Sequence, residues 1–68
     1  MRKLTRREIE VLGLVAEGYP SHLVGDALLI SKRTVDFHLA NVFEKLSVGN
    51  RIQAVNAARR QGILPELS

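Results

Sequence analysis

The feature that most constrains this chain is a regular apolar stripe between residues 32 and 46. Apolar side chains recur at steps of four, three and four positions, at Val35, Leu39, Val42 and Leu46. This spacing places them along one side of an α-helix, whereas a β-strand would show alternation at every second position. Because no other segment shows that alternation either, we predict an all-α fold built around this helix.

Capping residues and glycines predict two shorter helices before the stripe. Thr5 and Glu8 have the spacing of a capping box, and Gly18 suits the left-handed residue that ends a helix, so the first helix is expected from about 8 to 17. A second helix is expected over 21–28, after Pro20. Because glycine weakens a helix interior, Gly25 indicates a close approach of another helix's backbone.

The third helix, over 32–46, has Ser31 as its expected N-cap, and a fourth follows it. Asn50 and Gln53 form a second cap-like pair, which predicts a helix over about 50–61. Gly62 ends it, and Ile63 can fold back on its last turn. The sequence thus predicts four helices in one domain spanning 1–68.

Composition narrows the function further. A chain of 68 residues holds one domain, and the absence of cysteine excludes disulfides and thiolate metal sites. We expect no metal and no cofactor. No apolar run approaches a membrane span or a signal peptide, so we expect a cytoplasmic protein without a membrane partner. The net charge of +3 favours an anionic partner, with nucleic acid ahead of a membrane surface.

Two helices joined by a short turn, 21–28 and 32–46, are typical of a helix-turn-helix with a core at about 21–46. In that motif the second helix enters the major groove of double-stranded DNA with its N-terminal half. Hydroxyls and free amides at that end suit phosphate oxygens. The candidate DNA contacts on this helix and its cap are Ser31, Lys32, Arg33, Thr34, Phe37 and Asn41.

Several of these side chains have alternative roles. Arg33 fits guanine, phosphate or plain solvent exposure, and Phe37 is either a thymine contact or a partly buried edge residue. Asn41 fits adenine or a phosphate. Lys45 and Arg51 flank the far end of the helix and are expected to bind the DNA backbone. His38 lies beside the apolar stripe, where a packed and hydrogen-bonded histidine is expected.

A series of short motifs runs in order along residues 4 to 64: Leu4-Thr5-Arg6-Arg7-Glu8, Val11-Leu12, Val15-Ala16-Glu17-Gly18, Ile30-Ser31, Thr34-Val35, His38-Leu39, Lys45-Leu46, Val48, Asn50-Arg51 and Ala54-Val55. In these motifs the chain resembles the DNA-binding domain of the LuxR/GerE family of bacterial transcription regulators. The resemblance implies a four-helix output domain whose third helix binds the major groove and whose fourth helix dimerises in many members. It also makes RNA polymerase a candidate partner.

The resemblance implies further roles and leaves two alternatives. His22 stands where many members carry a basic residue, which implies a backbone contact. Many members are also basic at the positions of Asp36 and Ala40. Their absence here keeps open a protein-interaction or dimerisation module with weak DNA binding. A sigma-factor promoter-binding domain has many of the same sequence motifs and is the second alternative. No arrangement of catalytic residues indicates an enzyme.

The fourth helix carries the expected dimer contact. Val55 and Ala58 are expected to face the core, which leaves either Ile52 or Ala57 outward. Small residues on this helix permit close approach of a second copy, and the resemblance implies a homodimer through this surface. The candidate dimerisation residues are Ile52, Asn56, Arg59 and Arg60.

Overall fold

A computed structural model describes residues 3–65. Residues 1, 2 and 66–68 of the predicted domain lie outside the described part. Within 3–65 the chain forms four helices and no strand, which confirms the all-α prediction. The helices are α1 (Arg6–Ala16), α2 (Ser21–Leu28), α3 (Lys32–Leu46) and α4 (Arg51–Arg60).

The predicted caps begin α1 and α4. The amide of Glu8 donates to Thr5 Oγ1 at 3.2 Å, and the amide of Thr5 donates to Glu8 Oε1 at 2.9 Å, which completes the capping box. Asn50 Oδ1 accepts from the Gln53 amide at 2.9 Å. The side chain of Gln53, however, accepts from the amide of Gly49 at 2.8 Å, one residue earlier than a strict box requires.

After two of the helices the residue with positive φ is a glycine, and after the other two it is a residue with a side chain. Gly18 and Gly62 adopt positive φ, at 95° and 75°, as predicted for the ends of α1 and α4. The left-handed residue after α2 is Leu29, at φ 59°, and after α3 it is Ser47, at φ 57°. These conformations disfavour side chains with a Cβ, and a backbone hydrogen bond closes each turn, from the amide of Ile30 to the carbonyl of Gly25 at 2.9 Å and from the amide of Val48 to the carbonyl of Phe43 at 3.0 Å.

The core lies around α3, which packs against the other three helices. The stripe predicted from the sequence supplies Val35, Leu39 and Val42, all buried, while Leu46 is half-buried at the helix end. Leu64, beyond α4, also enters the core. The other core residues of α1, α2 and α4 are Val11, Leu12, Val15, Val24, Ala54, Val55 and Ala58.

Gly25 fixes the approach between α2 and the start of α3. A Cβ at this position would lie 2.6 Å from the carbonyl oxygen of Ile30 and 3.4 Å from the amide nitrogen of Lys32. The close neighbour is therefore the turn that leads into α3, and the expectation of another helix's backbone needs this correction. Because the contact is with backbone, it holds the beginning of α3 tightly against α2.

Candidate nucleic-acid interface

The N-terminal half of α3 has one buried and one exposed side. Val35 and Leu39 face the core at 0% and 3% exposure. Lys32 and Arg33 are exposed, and Phe37 is 63% exposed, which favours a DNA contact over a partly buried edge residue. A helix with this division presents a continuous edge of cationic and aromatic side chains to solvent.

The two hydroxyls at the start of α3 are engaged with each other. Ser31 Oγ accepts from the amide of Thr34 at 3.0 Å, which confirms Ser31 as the N-cap. The hydroxyls of Ser31 and Thr34 lie 2.9 Å apart and share a hydrogen bond. The geometry therefore shows the capping role, and contact with a phosphate stays a prediction for both residues.

Asp36 lies on the exposed part of α3 and pairs with Lys32. The Lys32 ammonium donates to Asp36 Oδ2 at 2.7 Å, with 62% and 46% of the two side chains exposed. The hydrogen bond from Lys32 lowers the pKa of Asp36 most, and the Ser21 hydroxyl and the charge of Arg51 lower it further. In the domain without DNA, the carboxylate of Asp36 therefore already offsets part of the positive charge of Lys32.

Arg51, the first residue of α4, reaches across to the start of α2. Its Nη2 donates to the hydroxyl of Ser21 at 3.4 Å, and Ser21 is buried while Arg51 is exposed. Its charge acts on Asp36 as well. The structure therefore brings Arg51 to the start of α2, where its charge helps to lower the pKa of Asp36, and the separation of these residues along the sequence did not indicate this.

Lys45 does not have the role that the sequence indicated. Its ammonium donates to Glu8 Oε1 at 2.8 Å and to the carbonyl of Lys3 at 3.3 Å, and the Lys45 and Glu8 side chains are only 13% and 5% exposed. Burial raises the pKa of Glu8, but bonds from Lys45 and Thr5 outweigh it and leave that pKa below its ordinary value. Lys45 is therefore a structural partner of Glu8, which corrects its assignment to the DNA backbone.

Sequence reasoning missed this buried ion pair because 37 residues separate its members. The capping box already explained the presence of Glu8, and the positive charge of Lys45 was explained by contact with DNA. A signal was nonetheless present, since Lys45 comes one position before Leu46 of the apolar stripe. A lysine so close to a buried side needs a carboxylate partner.

The remaining candidates lie at the margins of the exposed edge. Asn41 is half-buried and His22 is exposed on α2, so both contacts stay predictions. His38 is half-buried beside Phe37, with ring centroids 6.0 Å apart and a tilt of 59°. The hydrogen bond expected of His38 is not found within 3–65.

The outer side of α4 carries the expected dimer residues. Ile52 is 72% exposed, whereas Ala57 is 4% exposed, so Ile52 is the outward residue of the two alternatives. Asn56 and Arg60 are exposed, and Arg59 is half-buried. Its Nε is buried without a hydrogen-bond partner among residues 3–65. Three of the expected dimer residues, Ile52, Asn56 and Arg59, border an open groove of about 230 Å³, whose other lining residues are Val15, Ala16, Arg51 and Val55.

The described part of the chain offers neither a metal site nor a membrane span. Residues 3–65 contain no group of three or more His, Asp or Glu side chains that could hold a metal ion. None of their helices has the length and hydropathy needed to span a bilayer.

The sequence of this chain matches a family of bacterial regulatory proteins and individual transcription regulators. The family model described as "Bacterial regulatory proteins, luxR family" matches residues 2–58. The transcriptional regulatory protein DegU of Brevibacillus brevis is 46% identical over 59 residues, which is 87% of this chain and 25% of DegU. ComA of Bacillus subtilis is 41% identical over 61 residues, covering 90% of this chain and 28% of ComA. The chain thus spans about a quarter of the length of these relatives.

Solved structures give the same fold. The structure of the transcription factor GerE superposes with a TM-score of 0.86 at 38% identity, over 93% of this chain and 96% of GerE. The response regulator ChrA of a heme-sensing two-component system gives a TM-score of 0.90 at 38% identity, over 94% of this chain and 32% of ChrA. The four helices and their order are therefore those of known helix-turn-helix regulators.

Proposed function

Because this chain belongs to the luxR family of bacterial regulatory proteins, we propose that it is the DNA-binding output domain of a transcription regulator. It binds double-stranded DNA sequence-specifically, with α3 in the major groove. Family membership favours this function over that of a sigma-factor domain. We assign it no catalysis and place its action in the cytoplasm, where bacterial DNA lies.

The observation that carries this proposal is the exposed edge of α3. Lys32, Arg33 and Phe37 project from the first half of a helix whose opposite side is fixed in the core. Arg33 makes no hydrogen bond or ion pair with other residues of 3–65, so its guanidinium is available to guanine or phosphate. The groove of B-DNA is wide enough to admit such a helix.

The other contacts divide into those that position the domain and those that select a sequence. We assign Phe37 to a thymine methyl and sugar, and Asn41 to adenine or a phosphate. Arg51 and the exposed His22 contact the DNA backbone, and Ser31 with Thr34 offers its hydroxyls to a phosphate. Contacts to phosphate fix orientation, and contacts to bases carry the specificity.

A homodimer on DNA is the second part of the proposal. Ile52, Asn56 and Arg60 give α4 an exposed outer side, and Arg59 borders it. Since α4 carries three arginines and no carboxylate, a symmetric contact brings like charges together. We therefore expect the dimer to form on DNA, whose phosphates offset this repulsion, with recognition helices about 34 Å apart. RNA polymerase is a further proposed partner.

A fluorescence-anisotropy titration against duplexes selected from a random pool tests this function. Affinity should fall steeply with salt, because neutralised phosphates release counterions. Arg51→Ala should weaken binding to all sequences about equally, whereas Phe37→Ala should change the order of preferred sequences. Arg7→Ala, on the exposed side of α1, is the matched control for loss of one arginine. Absence of binding to any duplex at low salt would reject the proposal.

The Lys32–Asp36 pair gives a second candidate function some support. A carboxylate on this edge repels phosphates and occupies a cation, which favours a protein-interaction module of the same fold with weak DNA binding. Sedimentation at rising concentration, with and without DNA, separates the two. Self-association without any duplex binding would favour the interaction module.

A further inference from the structure

Three helix beginnings meet at one carboxylate. Ser21, Lys32 and Arg51 are the first residues of α2, α3 and α4, and all three act on Asp36. Lys32 Nζ lies 2.7 Å from Asp36 Oδ2, and Arg51 is brought to the same place by its hydrogen bond to Ser21. Lys32 and Arg51, which are both candidate DNA contacts, therefore both lie near one internal anion.

We propose that Asp36 is an internal counter-ion of Lys32 that a DNA phosphate must displace, and that this competition sets the domain's affinity for DNA. The proposal rests on the proposed function and deepens it. It assigns Asp36 a role in regulating how strongly α3 binds any duplex, separate from the choice of bases.

Exposure makes this competition possible. Both side chains of the pair are largely exposed, at 62% and 46%, and exposed ion pairs of this spacing contribute little to folding. Lys32 can therefore leave Asp36 without loss of the fold. A phosphate diester carries the same single negative charge as the carboxylate and also accepts through two oxygens, so the two anions compete for the same ammonium.

The location of Asp36 distinguishes this role from a base contact. A carboxylate that selected cytosine would be expected to lie free for the N4 amino group. Asp36 is instead held by the ammonium of Lys32, a partner suited to phosphate. Competition for cations lowers affinity for every duplex by a similar factor, whereas a base contact changes preference.

The test is a double-mutant cycle measured by anisotropy on one selected and one unrelated duplex. Asp36→Asn keeps the shape and should raise affinity for both duplexes about threefold at low salt, with a salt slope steeper by about one. Lys32→Met should weaken binding only about twofold in the native chain, and about fivefold or more in the Asp36→Asn background. Arg51→Met should show coupling of the same sign.

Asp26→Asn, an exposed carboxylate of α2 outside this network, is the control for net charge and should change affinity less than about twofold. Equal costs of Lys32→Met in both backgrounds, or an equal gain from Asp26→Asn, would overturn the inference while leaving DNA binding intact. A change in base preference with Asp36→Asn would also overturn it. If neither the native chain nor any variant binds DNA, the proposed function itself fails.

Discussion

Two lysines of α3 form ion pairs whose N···O distances are nearly the same, but the two pairs have different consequences. Lys32 and Asp36 lie 2.7 Å apart on one exposed stretch of helix, four residues from each other. Lys45 and Glu8 lie 2.8 Å apart across two helices and are nearly buried. Both lysines are expected from the sequence to contact DNA, and only the first is placed where it can.

For these two ion pairs, burial and not the distance between the charges determines the cost of removing one partner. In water the attraction of the exposed pair is weak, and either partner can exchange for another ion. In the buried pair each charge has lost its hydration, so removing one partner leaves the other unsolvated and unpaired. The N-terminal end of α3 can therefore exchange its ion-pair partner, whereas the buried pair at the C-terminal end joins α3 to α1.

The largest effect is expected from breaking the buried pair. Lys45→Met leaves the Glu8 carboxylate buried without its cation, and should lower the free energy of unfolding by about 3 kcal/mol. Urea unfolding followed by circular dichroism measures this. The double variant Glu8→Gln with Lys45→Met should recover part of the loss, since no charge is then left unpaired. A loss below about 0.5 kcal/mol with Lys45→Met would mean that the pair behaves as a surface pair.

An intermediate effect is expected from acid. Because the pKa of folded Glu8 lies below its ordinary value of 4.5, Glu8 contributes stability that is present above that pH. The contribution is lost as pH falls through the lower folded value. Urea midpoints between pH 7 and 3 should therefore decline more below pH 4.5 in the native chain than in Glu8→Gln. Parallel declines in the two proteins would contradict the role given to Glu8.

The smallest effect on folding is expected from the exposed pair. Lys32→Met should change the free energy of unfolding by less than about 0.5 kcal/mol, because an exposed pair at this spacing is weak. The same urea experiment measures it beside Lys45→Met as the matched lysine replacement. Equal losses from the two lysine replacements would remove the distinction between the two ends of α3.

Local patterns in the sequence predicted the helices well. The capping box of Thr5 and Glu8 and the apolar spacing of Val35, Leu39 and Val42 depend on neighbours within one or two turns, so the sequence displays them directly. The same holds for Gly18. The fold class and the exposed edge of α3 followed from these signals.

Contacts between distant segments were not predictable in this way. The partner of Lys45 lies 37 residues away, and Ala57 is buried although the spacing within α4 left either Ile52 or Ala57 as the outward residue. Leu29 and Ser47 adopt left-handed conformations that their residue types disfavour, so no local rule indicated them.

The account depends most on which side of α3 meets DNA. The most direct measurement is a two-dimensional NMR titration of amide shifts with a selected duplex. The account predicts the largest changes at 31–37, with further changes at Asn41 and Arg51, and small changes around Glu8 and Lys45. Changes centred on α1 or on the Glu8–Lys45 pair, with 31–37 unaffected, would contradict it.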